Sequence, residues 1–96
     1  MKIYLQIIGI PELRKIIGSD LNIDADCNTI LDLIDLLCRS YGKKVKDTFF
    51  PSEGKALNMN IQVLVNNKLV LPREQLGKKE IKENDNITFM TYIGGG

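Results

Sequence analysis

Glu83-Asn84-Asp85-Asn86-Ile87-Thr88-Phe89-Met90-Thr91-Tyr92-Ile93-Gly94-Gly95-Gly96 is the stretch that decides the fold. Ile87, Phe89, Thr91 and Ile93 alternate with Thr88, Met90 and Tyr92, the two-residue period of a strand with one buried face. Asn84-Asp85 ahead of it is a turn signal, because asparagine tolerates positive φ. Three glycines follow at once. Glycine offers no side chain to pack and loses much backbone entropy when ordered, so a strand over 86–93 is expected to run into a loose thread. A thread without Cβ atoms can enter a channel too narrow for other residues. The chemical handle expected at its tip is the α-carboxylate of Gly96.

Upstream, Ile61, Val63 and Val65 repeat the strand period, Asn66-Asn67 is a tight-turn signal, and Lys68–Leu71 returns until Pro72 closes it. Further back, Pro51-Ser52-Glu53-Gly54 reads as a loop. Val45, Phe49 and Phe50 either continue the preceding helix or fold back on the core. That helix is the clearest element of the chain. Ile30, Leu33, Ile34, Leu37 and Tyr41 recur at helical spacing, Asn28 or Thr29 can cap its start, and Asp32 completes a capping box with Thr29. Gly42 is placed to end it. Nearer the N-terminus, Ile3, Leu5 and Ile7 alternate with Lys2, Tyr4 and Gln6, and Leu21, Ile23 and Ala25 with Asn22, Asp24 and Asp26. These are two strands of a hairpin with a long connection, in which Glu12–Ile17 forms a short helical connector closed by Gly18. The order strand, strand, helix, strand, short strand, strand predicts an α+β domain, a mixed sheet of about four to five strands packed on one main helix.

Ninety-six residues suffice for one core but not for a deep cleft with a second lobe. The expected organisation is a domain over 1–93 with a flexible tail over 94–96. The net charge of +1 argues against nucleic acid as the main partner, which needs a concentrated basic face. With no apolar run long enough to span a bilayer and no export signal, the expected place is the cytoplasm, where Cys27 and Cys38 stay reduced. The chain has no histidine, and its two cysteines lie eleven positions apart without a second pair, so no metal site is expected.

Three stretches carry a resemblance to a known family. Ile10-Pro11-Glu12-Leu13-Arg14-Lys15-Ile16-Ile17-Gly18 resembles the leucine-arginine segment that follows the first strand of molybdopterin-type carriers. Val63-Leu64-Val65-Asn66-Asn67-Lys68-Leu69-Val70 resembles the central strand and asparagine turn. Glu83 to Gly96 resembles the acidic turn, final strand and glycine tail. Together they resemble the β-grasp, ubiquitin-like sulfur carriers (the ThiS/MoaD-like family, which includes the thiamine sulfur carrier and the small subunit of molybdopterin synthase). Asn84-Asp85 stands where the family has glycine-aspartate, which a type I′ turn tolerates. Leu71-Pro72-Arg73 and the triple glycine look thiamine-type, whereas the long helix and the Pro51–Gly54 loop look molybdopterin-type or like carriers that feed amino-acid synthesis.

The resemblance implies a carrier or co-substrate rather than an enzyme, in some pathways the small subunit of a two-subunit synthase. It implies no bound cofactor. A partner of the ubiquitin-activating type uses ATP to adenylate the Gly96 carboxylate, sulfur displaces AMP to leave a thiocarboxylate, and a second enzyme takes the sulfur. The acceptor is a molybdopterin precursor, the thiamine thiazole or an amino-acid precursor. Gly94 and Gly95 are the residues that must thread the partner; from Ile93 to Gly96 an extended chain reaches about 13 Å. Met90, Tyr92 and Ile93 are the candidate partner-binding residues, Met90 and Tyr92 on the sheet face away from the helix. Two other readings remain open: a ubiquitin-like modifier joined to lysines through Gly96, and a non-catalytic β-grasp adaptor.

Plainer readings stand beside these. The glycines can be an expression scar, and Met90 and Tyr92 can merely cover a half-exposed edge. Cys38 falls on the apolar helix face and reads as a small core residue rather than a sulfur relay, while Cys27, ahead of the helix, is open to exposure. Lys43, Lys44 and Lys46, and Lys78, Lys79 and Lys82, read as solvated faces rather than docking sites for an acidic partner.

Overall fold

The computed structural model describes residues 1–51, 56–70 and 73–91. Tyr92, Ile93 and Gly94–Gly96 lie outside the described residues, as do Leu71, Pro72 and most of the expected Pro51–Gly54 loop.

Five strands form one mixed sheet. They are β1 (Lys2–Ile8), β2 (Asp20–Asp24), β3 (Ile61–Val65), β4 (Lys68–Leu69) and β5 (Asn86–Thr91), in the order β2-β1-β5-β3-β4. The β1–β2 hairpin is antiparallel with Leu5 opposite Leu21. β5 lies in the centre, parallel to β1 with Ile87 beside Leu5, and antiparallel to β3 with Phe89 opposite Val63. The alternation in each strand therefore lines up across the sheet. Ile3, Leu5, Ile7, Ile61, Val63, Val65, Ile87 and Phe89 all point to one face and are all buried.

Helices cover that face. α2 (Ile30–Tyr41) starts as its sequence requires: the Thr29 hydroxyl accepts from the Asp32 N–H at 3.2 Å, and the Asp32 carboxylate accepts from the Thr29 N–H at 3.2 Å. This capping box satisfies donors that a helix start leaves open. Ile30, Leu33, Ile34, Leu37 and Cys38 give α2 its buried side. Two shorter helices complete the layer, α1 (Pro11–Ile16) in the β1–β2 connection and α3 (Lys43–Phe49) after α2. Pro11 opens α1 in the first turn, where its missing N–H costs nothing.

The open choice at Val45, Phe49 and Phe50 resolves as a break and restart. Gly42 takes φ +97°, a conformation that glycine reaches without steric cost, and the chain turns into α3 against both α1 and α2. Phe49 then meets Phe89 edge to face, ring centroids 5.1 Å apart, fastening α3 to the central strand. A 3₁₀ turn over Arg73–Gly77 packs on α2, and Leu76 and Ile81 close the core.

Two turns set the start of β5. Asn66 and Asn67 both take positive φ (52° and 68°), the type I′ pattern expected between β3 and β4. The second departs from expectation. In the turn from Lys82 to Asp85 only Asn84 has positive φ (69°), so it has the glycine-like position of a type II turn, not type I′. The side chains interlock: Asn66 Nδ2 donates to Asp85 Oδ1 at 3.0 Å, the Asn86 N–H to Asn66 Oδ1 at 2.9 Å, and the Lys82 N–H to Asp85 Oδ2 at 2.8 Å.

Candidate functional site

The other face of the sheet is uncovered by the helices, and parity decides what it shows. One row across it runs Asp20, Gln6, Thr88, Leu64, Leu69 through strands β2, β1, β5, β3 and β4. The next row, toward the end of β5, runs Ile8, Met90, Gln62. Ile8 is 42% exposed and Leu69 45% exposed; Met90, Leu64 and Gln62 are half-buried. Apolar side chains thus concentrate on the β1–β5–β3–β4 part of this face. Toward β2 it is polar. Thr88 Oγ1 donates to Gln6 Oε1 at 3.3 Å, and Gln6 Nε2 donates to Asp20 Oδ1 at 3.2 Å, a chain of side-chain bonds over three strands. Mixed apolar and polar lining of this kind is what a docking surface needs, desolvated at its centre and oriented by its polar groups.

Of the expected partner-binding residues, Met90 is on this face at the centre of its row, two positions before Tyr92. Tyr92, Ile93 and the tail residues Gly94, Gly95 and Gly96 lie outside the described residues. Ile8, Leu64 and Leu69 were not anticipated. For Ile8 the signal was available: it continues the outward parity of Lys2, Tyr4 and Gln6. What sequence alone withheld was its neighbour, because the β1–β5 pairing joins residues 82 positions apart.

The cysteines are not poised for chemistry. Cys38 is buried as expected. Cys27 is buried too, with 6% exposure, against the expectation that it could reach solvent. Burial pushes both thiols above their ordinary pKa of 9.0, and the nearby carboxylates of Asp32 (for Cys27) and Asp35 (for Cys38) push the same way. Neither therefore supplies an appreciable thiolate at neutral pH. Both lysine clusters are exposed. Among the described residues no group of three or more acidic, cysteine or histidine side chains is arranged to hold a metal ion, and no helix is long and apolar enough to cross a membrane.

A five-stranded mixed sheet with parallel β1 and β5 at its middle, grasping one main helix, is the ubiquitin-like β-grasp architecture. The chain belongs to the ThiS family, whose model matches residues 10–96 and so takes in four of the five strands, β2 to β5, and the glycine triplet. Solved structures agree along the whole length. SAMP1 from Haloferax volcanii superposes with TM-score 0.72 at 21% identity, covering 100% of each chain. Urm1 from Trypanosoma brucei gives TM-score 0.69 at 27% identity, covering 99% of this chain and 95% of its own. The BexX/CysO complex of Amycolatopsis orientalis contributes a chain with TM-score 0.68 at 25% identity, covering 98% and 99%. No curated protein matches the sequence at a significant level. The chain is thus a member of a ubiquitin-like sulfur carrier and modifier family.

Proposed function

We propose that this chain carries sulfur as a thiocarboxylate on Gly96. An activating enzyme docks on the open sheet face, around Ile8, Leu64 and Met90, and receives the tail in its active site. There a Gly96 carboxylate oxygen attacks the α-phosphorus of ATP. A C–O–P linkage forms, the α–β phosphoanhydride breaks, and pyrophosphate leaves. Sulfur at the hydrosulfide level then attacks the acyl carbon, a C–S bond forms, and AMP departs with the bonding pair of the broken C–O bond. The carboxylate needs this activation because it is a poor electrophile. The carrier contributes the reacting group and the docking surface, while acid–base and phosphoryl chemistry belong to the partner. A synthase then removes the sulfur for cofactor or amino-acid biosynthesis. We set this chemistry in the cytoplasm, where ATP and reduced sulfur coexist.

The observation that carries the reading is the family match, which extends through Gly94-Gly95-Gly96. One neighbour supports the partner arrangement, since CysO is named in a complex with BexX. The test is Gly95→Val. Bulk in the tail should block loading by the cognate adenylating enzyme while the thermal unfolding transition stays where it is; a fully loaded variant contradicts the threading argument.

A second reading keeps the activation step and changes the acceptor. SAMP1 of Haloferax volcanii, a small archaeal modifier protein, shares the fold over the full chain. If the activated Gly96 acylates lysine amines, a tagged chain added to extract gives a ladder of conjugates. If it carries sulfur, the tagged chain stays a single species with one oxygen exchanged for sulfur.

A further inference from the structure

β2 is an outer strand of the sheet, and its far edge has no neighbouring strand among the described residues. Which backbone groups lie on that edge follows from the bonds at the two ends of the hairpin. The Ile7 N–H donates to the Ser19 carbonyl at 2.9 Å, and the Ala25 N–H donates to the Met1 carbonyl at 2.9 Å. In an antiparallel pair the bonded residues alternate. Leu21 and Ile23, opposite Leu5 and Ile3, therefore turn their backbone groups toward β1. Asp20, Asn22 and Asp24 turn theirs outward, each with an N–H and a carbonyl to be satisfied.

The edge lacks the usual guards. An exposed strand is commonly blunted by proline, lysine, a bulge or a covering helix. β2 contains neither proline nor lysine. Its register with β1 runs unbroken from Lys2–Asp24 to Gln6–Asp20, and of the described elements only β1 packs closely along it. The side chains give the edge two characters. Leu21 and Ile23 lie toward the helices, half-buried at the margin of the core. Asp20 and Asp24 lie on the open face and are exposed. Asp20 Oδ1 accepts from Gln6 Nε2 at 3.2 Å and Asp24 Oδ1 from the Met1 ammonium at 2.9 Å, which steadies both carboxylates and leaves acceptor capacity on each.

These carboxylates select the occupant. A second copy adding its own β2 antiparallel over the full strand sets Asp20 against Asp24 at both ends. Like charges directly opposite are destabilising, whereas a basic residue at each of those positions makes two favourable cross-strand pairs. Apolar residues at the intervening positions extend the cover over Leu21 and Ile23.

We propose that the outer edge of β2 is a second docking site, which takes an extended segment of a partner protein as an added antiparallel strand. That segment reads basic, apolar, polar, apolar, basic, set opposite Asp24, Ile23, Asn22, Leu21 and Asp20 in turn. Main-chain bonds supply the affinity and alternate side chains the selectivity. The site is separate from the Ile8–Met90 row and does not depend on the sulfur-carrier reading.

The probe is the peptide acetyl-Lys-Val-Thr-Val-Lys-amide, titrated to millimolar concentration into the isotope-labelled chain and followed by amide chemical shifts. Shifts should be confined to β2 and its β1 partners, and hydrogen exchange at the Asp20, Asn22 and Asp24 amides should slow. Methylating the backbone nitrogen of the central threonine, which faces Asn22, should abolish binding. Methylating that of either valine, which faces away, should leave it. The same peptide with glutamate for lysine should not bind. Asp20→Asn with Asp24→Asn should weaken the lysine peptide roughly three- to tenfold. Equal binding of the glutamate peptide, equal effects of the two methylations, shifts centred on Ile8, Leu64 and Met90, or no shifts at all overturn the proposal. Shifts along β2 that follow the concentration of the chain without peptide overturn it too, because they give the edge to a second copy.

Discussion

The two faces of one sheet obey different rules. On the helix side, eight strand residues from β1, β3 and β5 are apolar and buried, and their partners are side chains of α1, α2 and α3. On the open side, the same strands present Gln6, Thr88 and Gln62 between Ile8, Leu64 and Met90. The first face is a core that a fold requires. The second leaves Ile8 and Leu69 exposed and Leu64 and Met90 half-buried, and it includes the strand that precedes the three glycines in sequence. Mutations on the first face should be felt in stability, and mutations on the second in association.

The largest expected effect breaks the covered face. Phe89→Ala removes a fully buried ring from the central strand and its edge-to-face contact with Phe49. It should cost about 3–5 kcal/mol of unfolding free energy, read as a lower urea midpoint. A loss below about 1 kcal/mol would mean that α3 is not anchored as described. On the open face the double change Ile8→Asp with Leu69→Asp, both at exposed positions, should act the other way round. Affinity for the cognate activating enzyme should fall roughly tenfold or more, while stability moves by little more than about 0.5 kcal/mol per surface site. Calorimetry on the same preparation reads both, and unimpaired binding would remove this face from the docking account.

A smaller effect sharpens the comparison at the edge of the covered layer. Thr29→Ala breaks the capping box of α2 and should cost about 1 kcal/mol, measured by chemical denaturation, with no change in partner affinity. The smallest concerns the thiols within the core. Because burial raises both pKa values above 9.0, the thiolate share at pH 7 is lower in the fold than in the unfolded chain. Alkylation of Cys27 and Cys38 by iodoacetamide should therefore be slow in buffer and fast in denaturant, and rapid labelling of the native protein would show that the helix layer opens.

Local signals made part of this legible from sequence. The Thr29–Asp32 cap, the Gly42 stop, the Asn66-Asn67 turn and the alternation in β1, β3 and β5 are each written in a few adjacent residues, and the structure has them where the sequence put them. α3 was ambiguous because Lys43, Lys44 and Lys46 supply no side-chain cap, and its start depends on the backbone turn at Gly42. Leu76 and Ile81 lie in a stretch without periodicity, so their burial is set by tertiary contact alone. β2 alternates correctly yet keeps Leu21 and Ile23 only half-buried, since it is an edge strand. The site was legible in the same measure. Met90 followed from parity, whereas Ile8 joined it through a parallel pairing of the chain's two ends.

The account depends on chemistry at Gly96, and intact mass spectrometry tests it most directly. The full chain is incubated with its cognate activating enzyme, ATP and sulfide, then weighed without digestion. The account predicts a gain equal to one sulfur replacing one oxygen, located at the C-terminus by fragmentation of the intact ion and absent when ATP is omitted. A chain of unaltered mass under conditions where the enzyme is active on another carrier would contradict it.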